Sequence, residues 1–145
     1  IGAANIVGTL LAGWAGKRYS KKYLLAGIYA GRTVVCAVFI LMPITPTSVI
    51  LFSVAMGTLW LATIPLTSGL VGYIYGLKYM ATLYGLVFFS HQLGSFIGVW
   101  LGGRFYDIYG DYTLVWWIGV AVGAFSALIH LPIKEKPKAE LVQAA

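Results

Sequence analysis

Acidic side chains are scarce in this chain. Its 145 residues hold four Asp and Glu against ten Lys and Arg, and charged residues make up only 10% of the total. An ordinary soluble domain carries about 25%. The few charges are bunched into short clusters, and long stretches between them have none. A helix built from such a stretch has no polar face to turn toward water, which excludes a packed soluble domain. Cysteine is nearly absent as well: the single Cys36 cannot form an intrachain disulfide, and no paired Cys/His spacing of the kind that holds zinc occurs. Two-His spacing on one helix, a Gly-rich phosphate loop and a nucleophile, base and orienter set are also missing, so the chain is read as no enzyme, with no metal and no cofactor. Ser90 adjoins His91, but neighbouring helical residues point in different directions and make no catalytic pair.

What is present is apolar: 60% of the residues are hydrophobic. A helix crossing a hydrocarbon core about 30 Å thick needs about 20 residues, and lipid tolerates only a backbone hydrogen-bonded within itself. Residues 23–43, 48–75, 81–103 and 113–133 meet that length, joined by connections rich in Pro, Gly, Lys and Asp. Residues 1–16 read as the back end of a further span. The chain opens at Ile1 inside an apolar run without an initiator Met, so a start upstream is expected. Residues 134–145 are polar and Ala-rich and read as a short disordered cytoplasmic tail. The expected fold class is all-α, a polytopic transmembrane helix bundle in contact with the lipid bilayer.

Cytoplasmic connections of membrane proteins keep an excess of Lys and Arg. Lys17, Arg18, Lys21, Lys22, Lys78, Lys134, Lys136 and Lys138 all fall on one side, and Arg104 alone falls on the other. The C-terminus is therefore expected in the cytoplasm, with 44–47 and 106–112 facing outward. That topology accounts for the net charge of +6 without a nucleic-acid partner. Trp116, Trp117, His130 and the tyrosines near span ends fit an aromatic and polar interface belt.

Small residues four apart share one helix face and let a neighbouring backbone approach closely. The longest such run is Gly94, Gly98 and Gly102, with Gly27/Gly31 and Gly119/Gly123 as shorter ones, and these are expected to pack helices together. Pro65 lies near the middle of the longest span with Thr63, Thr67 and Ser68 around it. A kink is expected there, with hydroxyls satisfying carbonyls freed by the missing amide and a gating role open to it.

An ionisable side chain inside a membrane is costly and is a functional hypothesis by default. Arg32 lies about nine residues into its span, roughly 14 Å deep at about 1.5 Å per residue. His91 lies about ten residues into a span entered from the same side, so the two are expected at similar depth. No Asp or Glu stands within any span to neutralise the arginine. Arg32 is either a fixed guanidinium that binds a carboxylate or a packing anchor bonded to helix carbonyls. His91 is either a proton relay or a neutral hydrogen-bonded imidazole.

The connection Gly13-Trp14-Ala15-Gly16-Lys17-Arg18-Tyr19-Ser20-Lys21-Lys22 resembles the basic Gly-containing loop that major facilitator superfamily transporters place between helices two and three and again between eight and nine. Lys17 stands at that motif's Asp position and Ser20 at its second Gly. Gly13, Lys17, Arg18 and Lys21 are then the residues of its conformational loop. The stretch from Gly103 to Tyr112 resembles the connection between helices eleven and twelve in the monocarboxylate transporter group, whose bacterial members also carry segments similar to Ile64-Pro65-Leu66-Thr67-Ser68-Gly69 and Ser90-His91-Gln92-Leu93-Gly94. The resemblance implies helices eight (in part) to twelve of a C-terminal domain in a bacterial inner membrane. It also implies a missing N-terminal half as partner, alternating access, and a small organic anion as cargo. An Asp and an Arg on helix eight of animal members match Asn5 and Thr9 here, so these two positions join Arg32 and His91 as substrate-binding candidates without that charge pair. A neutral or cationic cargo, or a non-transporting membrane subunit, are the competing readings.

Overall fold

The computed structural model describes residues 1–137 and is all-helical there. Its elements are α1 (Gly2–Arg18), α2 (Lys21–Leu41), α3 (Pro46–Trp60), α4 (Thr63–Tyr75), α5 (Met80–Tyr109) and α6 (Thr113–His130). Four membrane-length apolar helical segments are present among the described residues, with α3 and α4 counted as one segment from Pro46 to Tyr75.

Local chemistry sets the ends. α2 stops at Leu41, where Met42 turns extended before Pro43, as the ring of a following proline demands. α3 opens on a reciprocal cap: the Ser48 amide donates to Thr45 Oγ1 at 3.1 Å and the Thr45 amide donates to Ser48 Oγ at 2.8 Å, with Pro46 in the first turn. α5 ends at Gly110, whose φ of 75° is a left-handed conformation that side chains resist. The Thr113 amide that follows donates to Asp111 Oδ1 at 2.7 Å at the start of α6.

Two boundaries differ from the sequence reading. The expected outward connection 106–112 shrinks to residues 110–112, because α5 runs through Gly103 and stops only at Gly110. A glycine inside a helix costs about 1 kcal/mol, which the remaining turns absorb, whereas Gly110 takes a conformation that closes the helix. The Pro65 distortion is a full break rather than a bend, and it falls one turn upstream, at Leu61 and Ala62. Without an amide on Pro65, the Leu61 carbonyl loses its helical donor. It accepts instead from the Ile64 amide at 3.1 Å. The expected hydroxyl repair is partly displaced: Ser68 Oγ donates to the Ile64 and Pro65 carbonyls, at 3.1 and 3.3 Å.

The core sits where α1, α2 and α4 meet. Leu25 and Leu66 are each 1% exposed, packed with Ala12, Ala62 and Leu70. α1 presents Gly8, Ala12 and Gly16 to this core, three buried small residues spaced by four. A Cβ on Gly8 would overlap the Thr58 carbonyl, and one on Gly57 would lie 2.7 Å from the Ile1 carbonyl oxygen. The α1 and α3 backbones are therefore in direct contact.

The expected glycine stripe of α5 does not make such a contact. Nothing lies within 4 Å of a Cβ at Gly94 or Gly98, and Gly102 only grazes Val115 Cγ1 at 4.0 Å. α5 meets α4 near Met80 and α6 near Gly102, and its middle stands clear of the other described helices. A Cβ at Gly27 or Gly119 would likewise meet open space, whereas one at Gly31 would lie 3.3 Å from Leu59 Cδ1 and one at Gly123 would press on Thr33. The α2 and α6 pair is the most extensively packed in the bundle.

Residues 134–137 are not a free tail. Ser20 Oγ donates to Glu135, and the Lys21 and Lys22 amides donate to its Oε1 and Oε2 at 3.0 and 3.3 Å. Lys21 Nζ adds an ion pair at 3.8 Å. Glu135 thus supplies the cap that the Ser20 side chain does not, at the positive end of the α2 dipole. The rest of the expected tail, 138–145, lies outside the described residues.

Burial pushes the Glu135 carboxyl up, but the bonds from Ser20, Lys21 and Lys22 and the Lys21 charge outweigh it, and the net effect is a lowered pKa. A lowered folded-state value means the contact is complete above the ordinary carboxylate range and is lost as pH falls through the lowered value. Glu135→Gln is expected to remove about 1–2 kcal/mol of docking at neutral pH. Spin labels at positions 19 and 136 of the full-length protein should give one narrow distance at pH 7. That distance should broaden in the variant, and in the unsubstituted protein only as pH falls below the ordinary carboxylate range. An unchanged distance in Glu135→Gln would show that the cap does not hold the segment.

Candidate functional site

A cavity of about 800 Å³ lies between the start of α1 and helices α2, α3 and α6. It extends along α6 from Tyr112 to Ser126. Arg32 and Asn5 both stand in its wall. The rest of the lining mixes rings, Tyr29, Phe52, Trp60, Tyr112 and Trp116, with aliphatic, small and hydroxyl-bearing residues.

Arg32 is held by ring faces. Its Cζ lies 4.6 Å from the Trp60 ring centroid and 5.6 Å from that of Tyr29. Such contacts are worth about 0.5–2 kcal/mol each and leave the edge of the planar guanidinium, with its N–H groups, free to donate. Among the described residues the chain's one ion pair is Lys21 with Glu135, so Arg32 faces no carboxylate there. The carbonyl-bonded anchor is not what the geometry shows: Arg32 makes no hydrogen bond among the described residues.

Asn5 does two things. It lines the cavity, and its Oδ1 accepts from the Leu61 amide at 3.2 Å, inside the break between α3 and α4. That bond ties α1 to the break directly beside Trp60, which carries Arg32. Asn5→Ala should cost about 0.5–1.5 kcal/mol, while Asn5→Ser, which keeps an uncharged acceptor oxygen, should cost less. The thermal midpoint of the full-length protein in detergent checks this, and equal midpoints for both variants would refute the bond's role.

The remaining sequence candidates are elsewhere. Thr9 is one turn beyond Asn5, half-buried, and does not line the cavity. His91 is exposed on the free middle of α5, stacked on Phe88 at 6.2 Å with Nδ1 3.4 Å from Gln92 Oε1. The structure does not bring it to Arg32. Pro65 sits in the first turn of α4, below the break. Of the loop residues, Lys17 and Arg18 are exposed, with Arg18 over Trp14 at 4.7 Å, and Gly13 is half-buried within α1. Lys21 pairs with Glu135 and lies 5.1 Å from the Tyr73 ring.

Sequence reasoning missed Trp60, Phe52 and Glu135, and assigned Trp116 to the interface. Trp60 did carry a signal, since a tryptophan at mid-span is far from the belt that ordinarily explains one. Trp116 stacks into a cluster with Phe39 and Phe52, at 5.9 Å from each. His130 stacks on Tyr29 at 5.1 Å and its Nδ1 donates to the Ser126 carbonyl at 2.6 Å, so it packs as well as borders the interface.

Four membrane-length helical segments, packed through close backbone contacts at small residues, define a polytopic integral membrane protein. Comparison with known proteins makes this specific. The family model described as Major Facilitator Superfamily matches residues 1–144, and the chain belongs to that superfamily. Its relatives include an uncharacterized MFS-type transporter, YcxA, of Bacillus subtilis (strain 168), 28% identical over 145 residues that cover 96% of this chain and 36% of the relative. Monocarboxylate transporter 12 of Xenopus laevis is 27% identical over 154 residues, covering 100% of this chain and 34% of the relative. The chain thus spans about a third of the length of these relatives. No solved structure matches it.

Proposed function

We propose that this chain is the C-terminal portion of a secondary active transporter that moves a small organic anion, a carboxylate, by alternating access. The observation that carries the cargo is Arg32: a cation fixed on two ring faces, lining a cavity, with no carboxylate partner among the described residues. A guanidinium held this way recognises a carboxylate through two parallel N–H bonds. The basic end of the bundle carries Lys17, Arg18, Lys21 and Lys22, which supports a cytoplasmic loop and C-terminus. A bacterial inner membrane and a second half contributed by the rest of the protein complete the reading.

The test is gradient-driven uptake of short mono- and dicarboxylates by the full-length protein in proteoliposomes. Uptake is expected for at least one monocarboxylate. Uptake of only neutral or cationic compounds would transfer the fold to the other cargo class. Stable co-purification with a partner and no flux of any compound would instead favour a non-transporting subunit.

A further inference from the structure

A second cavity, of about 790 Å³, opens at the basic end of the bundle and shares no lining residue with the one at Arg32. The turn between α1 and α2 forms one wall, and the segment that follows α6 forms another. Lys17, Arg18, Lys21, Lys22, Lys134 and Lys136 line it, around the one carboxylate of Glu135. Glu135 assembles this set. By accepting from Ser20 Oγ and from the Lys21 and Lys22 amides, it brings Lys134 and Lys136 against cations more than 100 residues earlier in the chain. The cavity thus already holds one oxyanion, and among the described residues that single negative charge stands against six positive ones. A concave surface with that balance concentrates further anions.

Depth in the membrane indicates which anion. α2 opens at Lys21 and α6 closes at His130, and both are long and apolar enough to span. The cavity therefore sits where the spans leave the hydrocarbon, at the level of lipid phosphates. Three of its cations also rest on rings: Arg18 on Trp14 at 4.7 Å, Lys21 on Tyr73 at 5.1 Å and Lys22 on Tyr23 at 4.7 Å. Such contacts restrict long side chains and so reduce the ordering cost of gripping a ligand. We infer that this cavity binds the phosphate headgroup of an anionic phospholipid, seated beside Glu135 on Lys17, Arg18, Lys134 and Lys136. A soluble phosphate shares that chemistry, but a lipid phosphate is held at this depth by its own acyl chains. The site is separate from the cargo and does not depend on its identity.

Photochemical capture by the full-length protein in nanodiscs tests this, with p-benzoylphenylalanine replacing Tyr19, a lining residue that is 61% exposed. The probes are radiolabelled phosphatidylglycerol and phosphatidylcholine at equal mole fraction. Ile44, 81% exposed in the uncharged connection at the far end of α2, is the control position. At position 19, phosphatidylglycerol is expected to be captured at least about fivefold more than phosphatidylcholine, with near parity at position 44. Lys17→Gln with Arg18→Gln should lower that ratio by roughly half or more, and adding Lys134→Gln and Lys136→Gln should bring it close to the control. The charge-retaining pair Lys17→Arg and Arg18→Lys should preserve it. Equal capture of the two lipids at position 19, or a preference no greater than at position 44, overturns the assignment. So does a preference that survives the neutralising substitutions in folded, monodisperse protein. Loss of the preference when inorganic phosphate is added at constant ionic strength overturns the lipid as occupant and gives the cavity to a soluble phosphate.

Discussion

Arg32→Gln is expected to lower carboxylate uptake by the full-length transporter about a hundredfold, with Arg32→Lys recovering only part of it. Truncating one member of a desolvated charge pair costs about 2–5 kcal/mol, and each 1.4 kcal/mol is tenfold. The lysine variant separates charge from shape. An ammonium keeps the positive charge but loses the planar fork and stacks less well on Trp60 at 4.6 Å. The loss should appear mainly as a raised half-saturation concentration, because the guanidinium meets the carboxylate in the bound ground state. Amounts of folded protein must be compared in parallel, since Arg32 also braces Trp60 beside the α3/α4 break. If Arg32→Gln transports normally at normal abundance, the arginine is architectural and the anion reading fails.

Gly8→Ala should be the most damaging single-methyl change in the chain. The added Cβ would overlap the Thr58 carbonyl, which belongs to the α3 backbone and cannot rotate aside. Overpacking of this kind costs about 1–3 kcal/mol even where side chains can yield. The full-length protein should therefore show a clearly lower thermal midpoint and a smaller monodisperse fraction in detergent. Gly27→Ala is the matched control, since nothing lies within 4 Å of its Cβ position. An unchanged midpoint for Gly8→Ala would mean that α1 and α3 are not in backbone contact.

The contrast between Gly8 and Gly94 shows what could be read before the fold was known. The helices were legible because a long uncharged run in lipid has only one way to satisfy its backbone. The stop was legible at Pro43, where the ring dictates an extended residue before it, but not at Gly110, because the span was read as ending at Gly103. Which glycine stripe is used was not, because spacing by four marks a face without naming the helix opposite. Gly94, Gly98 and Gly102 form the all-glycine run, yet the close approach is made by Gly8, Ala12 and Gly16, spaced the same way. Arg32 stood out because a lone charge in an apolar run needs an account. Its pairing with Trp60 did not, since Trp60 on α3 meets Arg32 on α2 only through tertiary packing. Likewise nothing local links Glu135 to Ser20, which lies more than 100 residues earlier in the chain.

α5 holds 30 residues in one uninterrupted helix. At 1.5 Å per residue that is roughly 45 Å, against a hydrocarbon thickness of about 30 Å. A rod half again as long as the slab it crosses must lean steeply or stand out beyond it, and both charged residues of α5, Arg104 and Asp107, lie in its last two turns beside the Tyr106 and Tyr109 rings. That end is expected to be the overhang: a helical spur in the headgroup region, unbroken up to Gly110, that would keep Asp107 hydrated and hold the short link to α6 clear of the acyl chains.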